Sequence, residues 1–285
     1  MLRALLVLTV TLATSGTQAS EAIEVHCMGS GERVYLIGGG PAFTTWHLEP
    51  IQQQFENRYR LCRFDMRGVG DNADLPLAPD THALEQWLAD MAAVLPEEPT
   101  ILWGHSWGAL QILLYAERHP ERVKGLILSN PVDPALKSLE HIEAKRHTHD
   151  LPEAQPTLEE IGTPAEARKS FRRKIASYFL DGQLGWDYSG QFTAADANNA
   201  LNVQIWEEYR KAPLTGGDLK GQEEKISAVI HCRHDVLQPE SRQAYAQLLR
   251  DTPETILENC AHFPWVEVPE AYYRALASGL EQAAR

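Results

Sequence analysis

Gly104-His105-Ser106-Trp107-Gly108 sets a hydroxyl nucleophile between two glycines. The apolar run 100–103 precedes it, and an apolar helical pattern through Leu110, Leu113, Leu114 and Ala116 follows. Strand, tight turn and helix with a serine at the apex is the context that a G-x-S-x-G elbow requires. The turn lifts the hydroxyl clear of the sheet, and a side chain at either glycine would strike a neighbouring strand or helix. In an ordinary strand-to-helix turn the same letters would leave Ser106 as an N-cap. A serine hydroxyl is a weak nucleophile, so it needs a base, and the base needs an acid to orient it. Both follow in the chain. Residues 226–232 read as a buried strand that ends in Arg233-His234-Asp235, and 255–259 as another, followed by Cys260-Ala261-His262. Loops beyond the carboxyl ends of parallel strands share one crevice. Ser106, His262 and Asp235 therefore converge there as nucleophile, base and orienting acid.

The elements that must hold these residues are an α/β pattern. Between Ile23 and Pro131, strand signals at 23–27, 34–37, 61–64, 100–103 and 125–129 alternate with helical signals near 46–57, 83–95 and 110–119. Such alternation gives a mostly parallel sheet with helices on both faces. Leu126-Ile127-Leu128 is apolar without a period of two, as befits a strand covered on both sides. From 132 to 221 the chain turns polar and helical, too long a stretch for one connection. It reads as a helical cap over the strand ends, with Gly216-Gly217 and Gly221 marking the return. The division is then a core of 20–131 and 222–285 with a cap of 132–221. A chain of 285 residues with 44% hydrophobic content suffices for one large domain of this kind.

Residues 1–19 belong to targeting: Arg3, an apolar run from Ala4 to Leu12, and small residues up to Thr17-x-Ala19 spell a secretory signal peptide. The run is too short for a membrane span. The mature chain is therefore expected in the periplasm or outside the cell, with no membrane span. The formal charge is −13, and loss of Arg3 leaves 25 basic against 39 acidic residues, or −14. With no basic stripe, nucleic acid is excluded as a partner. Cys27, Cys62, Cys232 and Cys260 are an even set in an exported chain and admit three disulfide pairings. No flavin, nicotinamide or metal motif occurs, and the serine chemistry needs no cofactor. Gly38–Gly40 form neither G-x-G-x-x-G nor a lysine P-loop. His141, His147, His149 and Asp150 lack zinc spacing and read as a solvated helix end. His234 reads as a wall residue beside the acid, Asp65 and Asp71 as turn-fixing acids, and Glu267 and Glu270 as solvent-facing.

Val34-Tyr35-Leu36-Ile37-Gly38-Gly39-Gly40-Pro41 resembles a strand followed by H-G-G-P-G, and Phe64-Asp65-Met66-Arg67-Gly68-Val69-Gly70 resembles a D-x-R-G-x-G turn. Ala116 to Val123 matches the helix end that follows the elbow. Together with the elbow and the Asp235 and His262 loops, they make nearly all of the mature chain resemble the α/β-hydrolases, and among them the proline iminopeptidases. It departs from the latter at Gly38 (usually histidine), Ala42 (usually glycine) and His105 (usually glycine, with histidine commoner in esterases). The resemblance implies an oxyanion hole from the N–H groups of Trp107 and Gly40. It also implies disulfides Cys27–Cys62 and Cys232–Cys260, between neighbouring strands of that fold. Trp206-Glu207 resembles the family's cap segment, in which the glutamate binds the substrate's free α-amino group. The activity implied is an aminopeptidase that acts through an acyl-enzyme and releases N-terminal proline from short peptides. The alternative is a carboxylic ester hydrolase with the same triad, its acyl pocket lined by Phe179, Trp186, Tyr188 and Phe192.

Overall fold

Strands buried along their whole length need cover on both faces, and the centre of this sheet consists of such strands. In the computed structural model, which describes residues 22–77, 82–249 and 252–285, Thr100–His105 (β4) and Ile226–Cys232 (β6) are buried at every position. The segment 1–19 lies outside the described residues. The remaining strands are His26–Met28 (β1), Glu32–Ile37 (β2), Tyr59–Arg63 (β3), Val123–Ser129 (β5) and Glu254–Leu257 (β7). The order is β1-β3-β2-β4-β5-β6-β7, parallel except for β1 against β3. Glu49–Phe55 (α1) and Pro269–Ala283 (α11) cover one face through Ile51, Phe55, Tyr272, Leu276 and Leu280. Ala83–Val94 (α2), Trp107–Arg118 (α3) and Glu240–Leu248 (α9) cover the other through Trp87, Leu110, Leu113 and Tyr245.

The chain leaves β2 toward β3 on one side and returns to β4 on the other. The crevice of an open parallel sheet opens at such a reversal, beyond the carboxyl ends of the strands. Here those ends carry Gly38–Gly40 after β2 and Ser106 after β4.

Between β5 and β6 lie five helices, Ile142–Lys145 (α4), Pro164–Ala176 (α5), Gly182–Ser189 (α6), Asn199–Lys211 (α7) and Gly216–Lys220 (α8), and Pro264–Glu267 (α10) follows β7. The cap is stitched to the loop after β2. The Thr44 N–H donates to the Asp196 carbonyl at 3.0 Å, the Asn198 N–H to the Ala42 carbonyl at 3.0 Å, and the Asn202 side chain to the Pro41 carbonyl at 2.6 Å. Where the sequence marked a glycine linker at 216–217, Thr215 and Asp218 form a capping box that starts α8. β7 ends at Leu257, short of 259, because Asn259 turns at φ 58°.

Disulfides join Cys27 to Cys62, directly opposed in the β1–β3 pair, and Cys232 to Cys260. The second bridge links the end of the strand before Asp235 to the loop before His262.

Glu208 of α7 closes the free end of α2, accepting from the Ala83 N–H at 3.1 Å and the Leu84 N–H at 2.8 Å. Unpaired N–H groups and the positive end of the helix dipole both favour a carboxylate there. These bonds hold the carboxyl below the usual range against the opposing effect of burial. Glu208→Ala should cost about 1–2 kcal/mol in denaturant unfolding, the scale of a lost helix cap, whereas Glu207→Ala, at the exposed neighbour, should be nearly neutral.

Candidate active site

Ser106 holds φ 55° and ψ −119°, outside the helix it precedes. Its N–H donates to the Ser129 carbonyl at 3.0 Å, and its own carbonyl accepts from Ala109 at 3.1 Å and Val132 at 3.3 Å. Its side chain makes no capping hydrogen bond to α3, so the hydroxyl is not spent on the helix end. The elbow leaves no room around it. A Cβ at Gly104 would fall 2.4 Å from the Gly108 carbonyl oxygen, and one at Gly108 would fall 2.2 Å from that of Ile37. Gly39, quoted from the sequence only as part of the glycine loop, also lacks room for a side chain: a Cβ there would lie 2.9 Å from the Cβ of Ser106.

Asp235 is buried just after β6, and both of its carboxylate oxygens face His262 Nδ1, at 3.0 and 2.9 Å. One of them also accepts the Leu237 N–H at 2.9 Å. This geometry puts the proton of a neutral His262 on Nδ1 and leaves Nε2 free to accept one.

Four separate groups fix the His262 loop. The Nε2–H of His105 donates to the His262 carbonyl at 2.8 Å, and the two rings lie 4.6 Å apart. Burial, and then the adjacent His262, hold the His105 imidazole well below its ordinary pKa, so it stays neutral. Asn130 donates to the Ala261 carbonyl at 2.9 Å while accepting from the Cys232 N–H at 2.7 Å. It therefore spans the β6 end and the His262 loop. The Tyr178 carbonyl, in the cap, accepts the His262 N–H at 2.9 Å. Glu267 accepts from Ala261 and Leu180, each at 2.8 Å. The sequence reading set Glu267 in solvent. It is instead half-buried, its carboxyl pushed up by desolvation, and ties the cap to the loop. Glu270 is exposed, as is His234.

A cavity of about 300 Å³ opens over Ser106 and His262, with Gly39, Gly40 and His105 in its wall. The Trp107 N–H, at the first position of α3, has no carbonyl four residues back in the helix to bond. Gly40 faces the same cavity from the loop after β2.

The cap residues divide by helix phase. Asn199, Asn202, Trp206 and Arg210 recur every three or four residues along α7 and line the cavity. Trp206 packs edge-on to Trp107, ring centres 4.7 Å apart. Glu207 lies one residue, about 100° of helix, away from this stripe. It is exposed and absent from the cavity wall. The expected acyl-pocket aromatics are also elsewhere. Phe179 and Phe192 are fully buried core, and Phe179 stacks on Phe263 at 4.9 Å. Tyr188 packs against both Phe179 and Phe192, 5.3 and 5.4 Å between ring centres, Trp186 is buried beneath the Arg172 guanidinium, and neither Tyr188 nor Trp186 lines the cavity. Val132, Leu139, Ile142, Phe171 and Leu237 supply the apolar wall instead. Among the described residues no group of three or more potential metal ligands gathers, and no helix is long and apolar enough to cross a membrane.

The chain belongs to the α/β-hydrolase fold family, whose profile matches residues 32–264. It is 26% identical over 274 residues to a proline iminopeptidase of Heyndrickxia coagulans, spanning 88% of this chain and 91% of that protein. To a 2-hydroxy-6-oxo-2,4-heptadienoate hydrolase of Pseudomonas putida it is 24% identical, over 86% and 87% of the two chains. A solved structure of a meta-cleavage product hydrolase from Pseudomonas fluorescens aligns with a TM-score of 0.67 at 17% identity, covering 91% of this chain and 94% of that one.

Gly39→Ala tests the fit around Ser106. The added methyl must displace Ser106 or the loop, and misplacement by about 1 Å costs on the order of 100-fold in rate. Labelling of Ser106 by a fluorophosphonate should slow by at least tenfold, with the circular dichroism spectrum unchanged.

Proposed function

We propose that this chain is a carboxylic ester hydrolase acting through Ser106. The observation that carries the reading is the buried Asp235–His262 pair, whose histidine shares one cavity wall with a serine held at positive φ. In the first step His262 Nε2 takes the Ser106 proton as Oγ bonds to the ester carbonyl carbon. The oxyanion so formed is held by the N–H groups of Trp107 and Gly40. The carbon–oxygen bond to the alcohol then breaks, and the alcohol leaves with the proton from His262. Water, deprotonated by the same histidine, attacks the acyl-enzyme, and the acid departs as Ser106 regains its proton. Asp235 fixes the imidazole tautomer and stabilises the imidazolium.

The aminopeptidase reading draws support from the proline iminopeptidases, similar over about nine-tenths of the chain. It requires an acidic receptor for the substrate ammonium. Glu207 is exposed outside the cavity wall, and that wall contains no Asp or Glu among the described residues. The absence favours an ester substrate. The signal-like segment 1–19 and the two disulfides support export.

Purified protein should hydrolyse short aryl esters far faster than prolyl-arylamide, and Ser106→Ala should abolish turnover by about four orders of magnitude. Preferential release of proline would overturn the ester reading, and a Ser106→Ala variant near wild-type rate would overturn the nucleophile. Material recovered from the periplasm or medium should begin near Ser20 by N-terminal sequencing, whereas an intact Met1 would contradict export by this route.

A further inference from the structure

The charge of the cavity runs against the charge of the chain. Acidic residues outnumber basic ones 39 to 26 overall. The cavity wall nevertheless has three cations, Arg146, Lys174 and Arg210, and no Asp or Glu among its described residues. The three come from three parts of the cap: the residue after α4, the end of α5 and the end of α7. No single helix surface explains the grouping.

The three cations differ in their commitments. Arg146 is half-buried, donates to the Tyr178 hydroxyl at 3.0 Å, stacks over that ring at 5.0 Å and pairs with the exposed Glu143. Lys174 and Arg210 are exposed, and neither side chain has a hydrogen bond or ion pair to another described residue. Like charges around one concave surface repel each other and raise the local concentration of anions. Leu139, Ile142 and Asn202 add apolar and amide surface to the same wall. That lining suits an organic anion better than a bare inorganic one. A substrate bearing an ammonium group would meet only like charge here.

We propose that the substrate carries, beside its scissile ester, a free carboxylate that Lys174 and Arg210 bind across the cavity mouth, with Arg146 behind them. The inference rests on the ester-hydrolase reading and narrows it to esters of carboxylate-bearing acids or alcohols. A carboxylate has two acceptor oxygens, which suits an ammonium on one side and a guanidinium fork on the other.

The test compares neutral and anionic esters of equal shape. In the acyl series, para-nitrophenyl glutarate half-ester is set against para-nitrophenyl glutaramate. In the leaving-group series, para-acetoxybenzoate is set against para-acetoxybenzamide. At low salt the anionic member should show at least tenfold higher kcat/KM in one series, which also reveals the side of the ester that bears the charge. The ratio should fall toward one in the Lys174→Gln/Arg210→Gln double variant, and as ionic strength rises, because exposed charges are screened. A ratio of one or less in both series, or a ratio unmoved in the double variant, would overturn the proposal. Failure of the hydrolase reading looks different: no neutral ester is turned over and no fluorophosphonate attaches at Ser106. Calorimetric binding of glutarate then still decides the cation site. Binding to the wild type but not to the double variant supports it, and binding to neither overturns it.

Discussion

A single backbone conformation, Ser106 at φ 55°, is the constraint on which the rest of the site depends. A non-glycine residue held there costs on the order of 1–3 kcal/mol, and it persists only where its surroundings leave no alternative. Those surroundings are the carboxyl ends of β2 and β4, side by side where the sheet reverses direction. The close approach of Gly108 to the Ile37 carbonyl locks α3 against β2. Gly39 closes the remaining side against Ser106 itself. The serine is therefore held by packed backbone on several sides while it still lines the cavity.

The base is held by a different principle. No strand contains His262. Its loop is fixed by hydrogen bonds drawn from the elbow (His105), from the turn after β5 (Asn130), from the cap (Tyr178) and from α10 (Glu267). Each bond on its own is worth about 1 kcal/mol net, but their donors and acceptors are buried or half-buried, so losing one leaves a poorly solvated group unsatisfied. The neutral state of His105 belongs to this scheme. A charged imidazole there would oppose the imidazolium that the proposed mechanism forms on His262.

How much of this was legible in the sequence varied with the kind of signal. Ser106, Asp235 and His262 each follow an apolar strand, and hydrophobic runs bounded by turn residues are local features. The sheet followed from the alternation of strand and helix signals, and both disulfide partnerships from the resemblance to α/β-hydrolases. Cap specificity did not, because the likeness at Trp206-Glu207 fixes the helix but not its rotation. One residue of phase separates Trp206 in the wall from Glu207 in solvent, and the buried carboxylate of that turn, Glu208, serves α2. Phe179 and Phe192 looked like pocket aromatics because a buried aromatic and a pocket aromatic have the same letter. Asn130 was invisible for a related reason, and the same reason set Glu267 in solvent. Asn130-Pro131 announces only a turn, and the distant carbonyl and N–H groups that Asn130 joins become neighbours only in the fold.

The bridge between Cys232 and Cys260 adds something that packing alone does not. Cys232 lies three residues before Asp235, and Cys260 two before His262. The separation of the Asp235–His262 pair is thus written partly in a covalent bond whose formation requires an electron acceptor. Sheet, elbow and cap can assemble from the chain's own sequence, but this last tether is supplied by the surroundings. Under the export proposed above, the redox state of the compartment becomes a component of the site, and maturation of the site would be coupled to arrival where thiols are oxidised.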